Sequence, residues 1–374
     1  MNIFVVKNYC VSKSNMDRNI SNELIEWYIH HKRALPWRDT SDPYYIWVSE
    51  IILQQTRVQQ GLPYYLRFIE EFSNINFLAE APLERILKLW QGLGYYSRAR
   101  NMHIAAKQIV ENYNGQFPAS YKELLLLKGV GEYTAAAVAS LAYNEPVAVV
   151  DGNVVRVISR LFAIQNPVDK TSVIKEIKEL ANNLLAFNRP AMHNQAIMEF
   201  GALHCVPVKP DCFSCPVNGK CLAFKFKLVE SIPYKKSKIS IKTRFFNYLV
   251  IHENEGIFFQ KRSTNDIWEG LYEFPLIVTE EQINPENIPG MMISNGFEGI
   301  PFETIGFMGP VKHILTHQHL QVNFIHVKFG NLSTNLKSKW VWKELDKIQE
   351  LAVPRVIDKY MQSPVFRNIT GCNC

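Results

Sequence analysis

The chain of 374 residues contains no apolar run approaching the roughly 20 residues that cross a bilayer, so no membrane-spanning helix is expected. The apolar patch at 1–6 is too short for a secretory core, and no small-residue cleavage site follows it. Residues 1–19 therefore read as a loose polar lead-in, with Met16 as an alternative start, and the expected location is the cytoplasm. No internal repeats or low-complexity runs are present, which excludes solenoids. Cysteine is scarce outside one place: of seven, Cys10, Cys372 and Cys374 stand near the termini, and the other four fall within 17 residues. Such usage points away from a disulfide scaffold and toward a metal. Residues 20–222 show almost no strand-type alternation, and 263–354 contain no arginine.

What is there suits two domains. Hydrophobic residues make up 47% and charged residues 20%, as in a soluble globular protein. Helical periodicity predicts helices over 21–31, 43–60, 62–72, 82–90, 97–113, 121–127, 132–143, 152–162, 172–185 and 190–203. From 245 the pattern changes to β, with strands expected at 245–252, 256–261 and 320–329 and a helix at 353–360. The expected organisation is a helical domain over 20–222, a basic linker over 223–244 and an α+β domain over 245–374. The linker carries Lys225, Lys227, Lys235, Lys236, Lys238, Lys242 and Arg244 against Glu230 alone, which accounts for the whole net charge of +6. A solvated linker explains it as well as a polyanion partner does.

Three stretches carry candidate chemistry. In Lys128-Gly129-Val130-Gly131-Glu132-Tyr133, two helices meet at a Gly-x-Gly turn. The backbone N–H groups at the second helix's start then face outward and can bind a phosphate without reading sequence, although such a turn is often only a tight turn. Further on, Val147-Ala148-Val149-Val150 ends in Asp151 before a helix, where an aspartate is more often an N-cap than a catalyst. Glu50 lies in a helix that is apolar on nearly every side, so burial should raise its pKa and keep it available as a general acid. Glu199, between Met198 and Phe200, invites the same argument more weakly. Cys205, Cys212, Cys215 and Cys221 offer four thiolates, which can hold zinc or an iron–sulfur cluster.

The spacing Cys205-x6-Cys212-x2-Cys215-x5-Cys221, with the hairpin and Asp151 upstream, resembles the cluster loop of the endonuclease III, helix–hairpin–helix superfamily. Within it, Pro36-Trp37-Arg38, the run Ser49-Glu50-Ile51-Ile52-Leu53-Gln54-Gln55-Thr56, Gln91-Gly92-Leu93-Gly94-Tyr95-Tyr96 and Asp151-Gly152-Asn153-Val154 resemble the MutY family of adenine DNA glycosylases, over about 20–360. The resemblance implies an all-α glycosylase domain with a [4Fe–4S] cluster on the four cysteines. A Nudix-like α+β domain follows, carried by the run Ile267-Trp268-Glu269-Gly270-Leu271-Tyr272-Glu273-Phe274-Pro275. With no arginine over 263–354, the Arg-Glu-x-x-Glu-Glu helix of a diphosphate hydrolase is missing, and lesion recognition remains.

By the same resemblance, Glu50 is the acid, Asp151 steadies the cationic sugar, and Tyr133 and Asn153 orient these carboxyls. Arg38, Trp37, Leu53 and Glu199 would surround the flipped adenine, although core packing explains Trp37 and Leu53 nearly as well. Gln55 and Tyr95 would wedge the duplex, Gly129 and Gly131 would hold its backbone, and Thr316 with His317 would read 8-oxoguanine. Family members usually carry Phe-Ser-His where this chain has Leu315-Thr316-His317; threonine keeps the hydroxyl, and leucine loses an aromatic wedge. Bifunctional relatives carry lysine at the place of Tyr133, and tyrosine cannot form the imine needed for strand cleavage. The implied partner is double-stranded DNA holding A:8-oxoguanine or A:G mispairs, bound by a monomer, with Lys209 and Lys220 of the cluster loop near it. A thymine-mismatch glycosylase and a bifunctional endonuclease III-like enzyme are the alternatives.

Overall fold

Helix follows helix from Lys13 to Lys225 in the computed structural model, which describes residues 13–235, 241–263, 266–330 and 334–371. The order is α1 (Lys13–His31), α2 (Pro43–Leu53), α3 (Val58–Glu71), α4 (Ile75–Glu80), α5 (Leu83–Leu89), α6 (Ser97–Tyr113), α7 (Tyr121–Leu124), α8 (Glu132–Tyr143), α9 (Gly152–Leu161), α10 (Thr171–Leu184), α11 (Pro190–Leu203) and α12 (Leu222–Lys225). Local chemistry sets several ends. Asp42 accepts the Tyr44 N–H at 2.8 Å ahead of Pro43, which starts α2, and Asn144 in the left-handed region (φ 55°) stops α8. Ala135, Ala136, Ala137 and Ala139 are buried on α8, and this small-residue face lets α2 pack close to it. No helix among the described residues is long and apolar enough to cross a membrane.

Several helix boundaries differ from expectation, two of them by the most. The first helix begins at Lys13 rather than 21, so residues 13–19 are helical and not a loose lead-in; residues 1–12 lie outside the described set. The helix expected over 43–60 is broken: α2 ends at Leu53, Gln55 turns into the left-handed region (φ 55°), and α3 starts at Val58. Apolar periodicity runs through this turn and conceals it, because no Gly or Pro marks the break.

The β region forms one seven-stranded mixed sheet from β1 (Lys242–Glu253), β2 (Gly256–Lys261), β3 (Tyr272–Glu273), β4 (Leu276–Thr279), β5 (Phe302–Ile314), β6 (Gln318–Phe329) and β7 (Val341–Glu344). Its order is β3-β2-β1-β6-β5, with β4 paired to β1 and β7 to β2; β1 and β6 run parallel. One face buries Phe246, Tyr248, Phe259, Phe274 and Phe324 against α15 (Arg355–Met361) and α16 (Pro364–Thr370), with α13 (Ile288–Met292) on other apolar residues and α14 (Thr334–Lys337) preceding β7.

The chain folds as two compact units, one of Met1–Ala79 with Ile104–Ser237 and the other of Glu80–His103 with Lys238–Cys374. The helical region is therefore not one unit over 20–222: residues 80–103 group with the β unit. The described ends of the expected linker are absorbed too, since α12 includes 223–225 and β1 begins at Lys242, while 236–240 lie outside the described set.

Candidate active site

Within the first unit a cavity of about 540 Å³ opens between α2, α8, α9 and α11. Trp37, Arg38, Glu50, Leu53, Tyr133, Asp151, Asn153 and Glu199 all line it, so eight expected site residues from five sequence regions converge. A second cavity of about 840 Å³ shares Leu53, Tyr133 and Asp151 and adds Gln55, Gly129 and Gly131. Gly129 has φ 75°, a conformation that needs glycine, and Gly131 caps α8.

Glu50 comes from α2, which is buried on nearly all sides, and is itself only 7% exposed. The Tyr133 hydroxyl donates to its Oε2. Burial pushes the Glu50 carboxyl up to about 7, against the lowering effect of that bond, with Asp151 raising it further and Arg38 opposing. Burial also holds the Tyr133 phenol well above its ordinary range, so tyrosine keeps its proton and stays a donor.

Asp151 is both an N-cap and a cavity group. Its Oδ1 accepts the Val154 N–H at 2.7 Å, and its Oδ2 accepts Asn153 Nδ2 at 2.7 Å. Burial raises its pKa, opposed by these bonds and by Arg156. Arg156, one turn along α9, donates to Asn153 Oδ1 at 2.9 Å, to Gly201 O at 2.5 Å and to Cys205 O at 2.8 Å. The stretch 147–150 leading into Asp151 has no regular secondary structure and no partner strand among the described residues. Side-chain amides satisfy it instead: fully buried Asn194 accepts the Val149 N–H at 3.0 Å and donates to Val147 O at 2.9 Å, and Asn182 accepts the Ala148 N–H at 3.1 Å.

Glu199 departs from expectation. Its apolar sequence neighbours suggest a raised pKa, yet Arg33 and Arg38 grip both oxygens at 2.6–2.9 Å and hold it down to about 2 in spite of burial. It is a fixed anion, not a second acid. Arg33, Gln195 and Asn194 escaped the sequence reading, and Arg156, at the end of the 147–156 stretch that holds Asp151, was given no role. Arg33 lies near Pro36-Trp37-Arg38 and Gln195 one turn before Glu199, the nearby signals that could have drawn attention to them.

The four cysteines line a third cavity among Val157, Leu161, Phe200, Val217 and Phe224. Among the described residues no group of three or more His, Cys, Asp or Glu is gathered as a single-ion site. Buried Arg160 places Nη1 3.4 Å from Cys205 Sγ and donates to Val206 O and Pro207 O. A buried guanidinium beside thiols in an apolar pocket suits an anionic, thiolate-ligated group. On the same loop Lys220 is committed to Glu23, whereas Lys209 is exposed with φ 48°.

Tyr95, Thr316 and His317 belong to the second unit. The Tyr95 hydroxyl pairs with the Thr316 hydroxyl, and Tyr95 sits in the left-handed region (φ 49°). Thr316 and His317 are exposed at the β5–β6 turn, closed by Leu315 N–H to Gln318 O at 2.8 Å, while Leu315 packs toward the sheet core.

A family model described as the HhH-GPD superfamily base excision DNA repair protein matches residues 48–183, and a NUDIX domain model matches 247–363. The chain is 33% identical over 340 residues to an adenine DNA glycosylase of Buchnera aphidicola, covering 90% of this chain and 94% of that one. An adenine DNA glycosylase of Homo sapiens is 40% identical over 234 residues, 59% of this chain and 43% of the human one. Among solved structures, a thermostable thymine-DNA glycosylase superimposes with a TM-score of 0.52 at 30% identity, over 57% of this chain and 98% of its own. A non-covalent endonuclease III–DNA complex, at 24% identity and a TM-score of 0.50, shares the fold.

Proposed function

This chain belongs to the adenine DNA glycosylase family of base excision repair, and we propose that it excises adenine paired with 8-oxoguanine or guanine as a monofunctional enzyme. The observation that carries this is the pairing of Glu50 and Asp151 in one cavity, with Glu50 pushed up to about 7. Adenine is a poor leaving group from C1′ until its ring is protonated. Protonated Glu50 supplies that proton, the C1′–N9 bond breaks with its electron pair going to the base, and ionised Asp151 stabilises the cationic sugar. Water then adds to C1′ and returns a proton to Glu50. Tyr133 holds Glu50 and Asn153 holds Asp151 during these transfers.

Adenine reaches the cavity only after leaving the stack, at a cost of a few kcal/mol. Gln55 and Tyr95, each in the left-handed backbone region, are the residues that wedge the duplex. Gly129 and Gly131 hold a phosphate of double-stranded DNA. Trp37, Arg38, Leu53 and Glu199 surround the base, Glu199 as an acceptor fixed by its arginines. Cys205, Cys212, Cys215 and Cys221 would hold a [4Fe–4S] cluster, which would supply a thiolate-ligated tie for their loop. Thr316 and His317 read the lesion: 8-oxoguanine presents an N7–H where guanine presents an acceptor, and the Thr316 oxygen accepts it.

The test incubates the full chain with duplexes holding A:8-oxoguanine, A:G, A:T and T:G, developed with and without alkali. Adenine loss from the first two with alkali-dependent nicks is expected. Thymine release overturns the adenine assignment, and nicks without alkali overturn the monofunctional one.

A further inference from the structure

We infer that Arg100 and Glu269 are positioning residues that set discrimination between 8-oxoguanine and guanine, by fixing Tyr95 to Thr316. The inference rests on the roles of Tyr95 and Thr316 given above and names what holds them together. Residues 80–103 are tied to the β unit along their length. Glu84 pairs with Lys261 at 2.6 Å, Lys88 donates to Leu351 O at 3.0 Å, and Gln91 donates to Asp358 at 2.9 Å and accepts the Val353 N–H at 3.2 Å. These contacts fix the part of the segment before Tyr95.

Beyond Tyr95, Arg100 on α6 takes over. Its guanidinium donates to Glu269 O at 2.7 Å and to Glu269 Oε2 at 2.9 Å. Glu269 lies between Trp268 (φ 63°) and Gly270 (φ 80°), both in the left-handed region. A tryptophan persists there only where its surroundings dictate it. The Trp268 indole meets the His313 ring edge-on at 5.6 Å, and His313 sits on β5 shortly before Thr316. A closed ring results: Tyr95, α6, Arg100, Glu269, Trp268, His313, Thr316 and back to Tyr95 through the hydroxyl pair. The hydroxyl pair alone is exposed and weak, so the ring's stiffness comes from the Arg100–Glu269 side. Opening that side lets wedge and reader move independently, and lesion contact then loses its geometry. Glu50 and Asp151 belong to the other unit, so chemistry is spared.

The experiment compares wild type, Arg100→Met, Glu269→Gln and the double variant as full-length protein. Single-turnover excision is followed on A:8-oxoguanine and A:G duplexes at limiting and saturating protein, with melting temperatures alongside. The preference for the 8-oxoguanine duplex should fall about tenfold in Arg100→Met, equivalent to ~1.4 kcal/mol. It should fall less in Glu269→Gln, which keeps the carbonyl contact, and no further in the double variant. The saturating A:G rate should stay within about twofold of wild type. An unchanged preference in both single variants overturns the inference, as does an equal loss on both duplexes with a lower melting temperature. A wild type without preference overturns the reader assignment itself, visible before any substitution. A Thr316→Ala that loses preference while Arg100→Met keeps it rejects only the ring.

Discussion

The two units bury carboxylates in opposite ways. In the first, Glu50 is given a phenol as its hydrogen-bond partner, and burial pushes it up to about 7. In the second, Glu273 is also buried but is met by Arg262 at 2.6 Å, by Gln260 at 3.0 Å and by Tyr248 at 3.0 Å. The first arrangement leaves a group close to changing protonation; the second spends its acceptor sites on holding a sheet together. Burial raises the Glu273 pKa as well, opposed first by Arg262, so the two units differ less in how deeply they bury a carboxyl than in what meets it. Glu199 shows both habits side by side, since it shares Glu50's cavity yet is answered by two arginines.

Substitutions that exchange these habits sharpen the contrast. Glu50→Gln removes the proton donor and should slow single-turnover excision by about 10²–10⁴-fold with duplex binding kept. The same change should stabilise the fold in alkali. Glu50 binds its proton more tightly folded (about 7) than unfolded (4.5), so stability falls as pH rises from 4.5 through 7. Removing the carboxyl should recover about 2–3 kcal/mol at pH 8, read by melting across pH. Excision by wild type should likewise decline as pH passes about 7, and a rate that rises there would break the comparison.

Arg262→Met leaves Glu273 buried without that cation and should cost about 3–5 kcal/mol, seen as a lower melting temperature. Asn194→Leu strands the Val149 N–H and Val147 carbonyl behind Asp151, at about 2–3 kcal/mol. There excision should fall even where the protein remains folded, whereas Asn182→Asp, which keeps the acceptor for Ala148, should behave as wild type. The smallest effect is electrostatic: Lys209→Ala should reduce the slope of log affinity against log salt by about 1, and Lys220→Ala, already paired with Glu23, by less.

Much of the catalytic region could be read from local chemistry. The ends of α6, α8 and α11 coincide with their periodic segments, with Asn144 in the left-handed region closing α8 and Pro190 opening α11. Glu50's burial followed from an apolar helix around it, and its raised pKa with it. Glu199 carried the same signal with the opposite outcome, since Arg33 and Arg38 reach it from 166 and 161 residues away. Strand β5 was hidden for another reason. Register shifts at Thr304/Gly306 and Met308/Val311 break its alternation, and Gly306, Gly309 and Pro310 imitate a loop. The break at Gln55 and the allegiance of 80–103 depend on tertiary contacts that no local pattern records.

That allegiance bears on how such a chain can be recombined. A gene cut at 237 to release a minimal catalytic fragment would carry 80–103 along while discarding the partners of Glu84, Lys88, Gln91, Tyr95 and Arg100. A chimera that trades only 238–374 with a relative would graft a foreign surface onto that segment. The exchangeable module is therefore discontinuous in the gene, and swaps should transplant both pieces together.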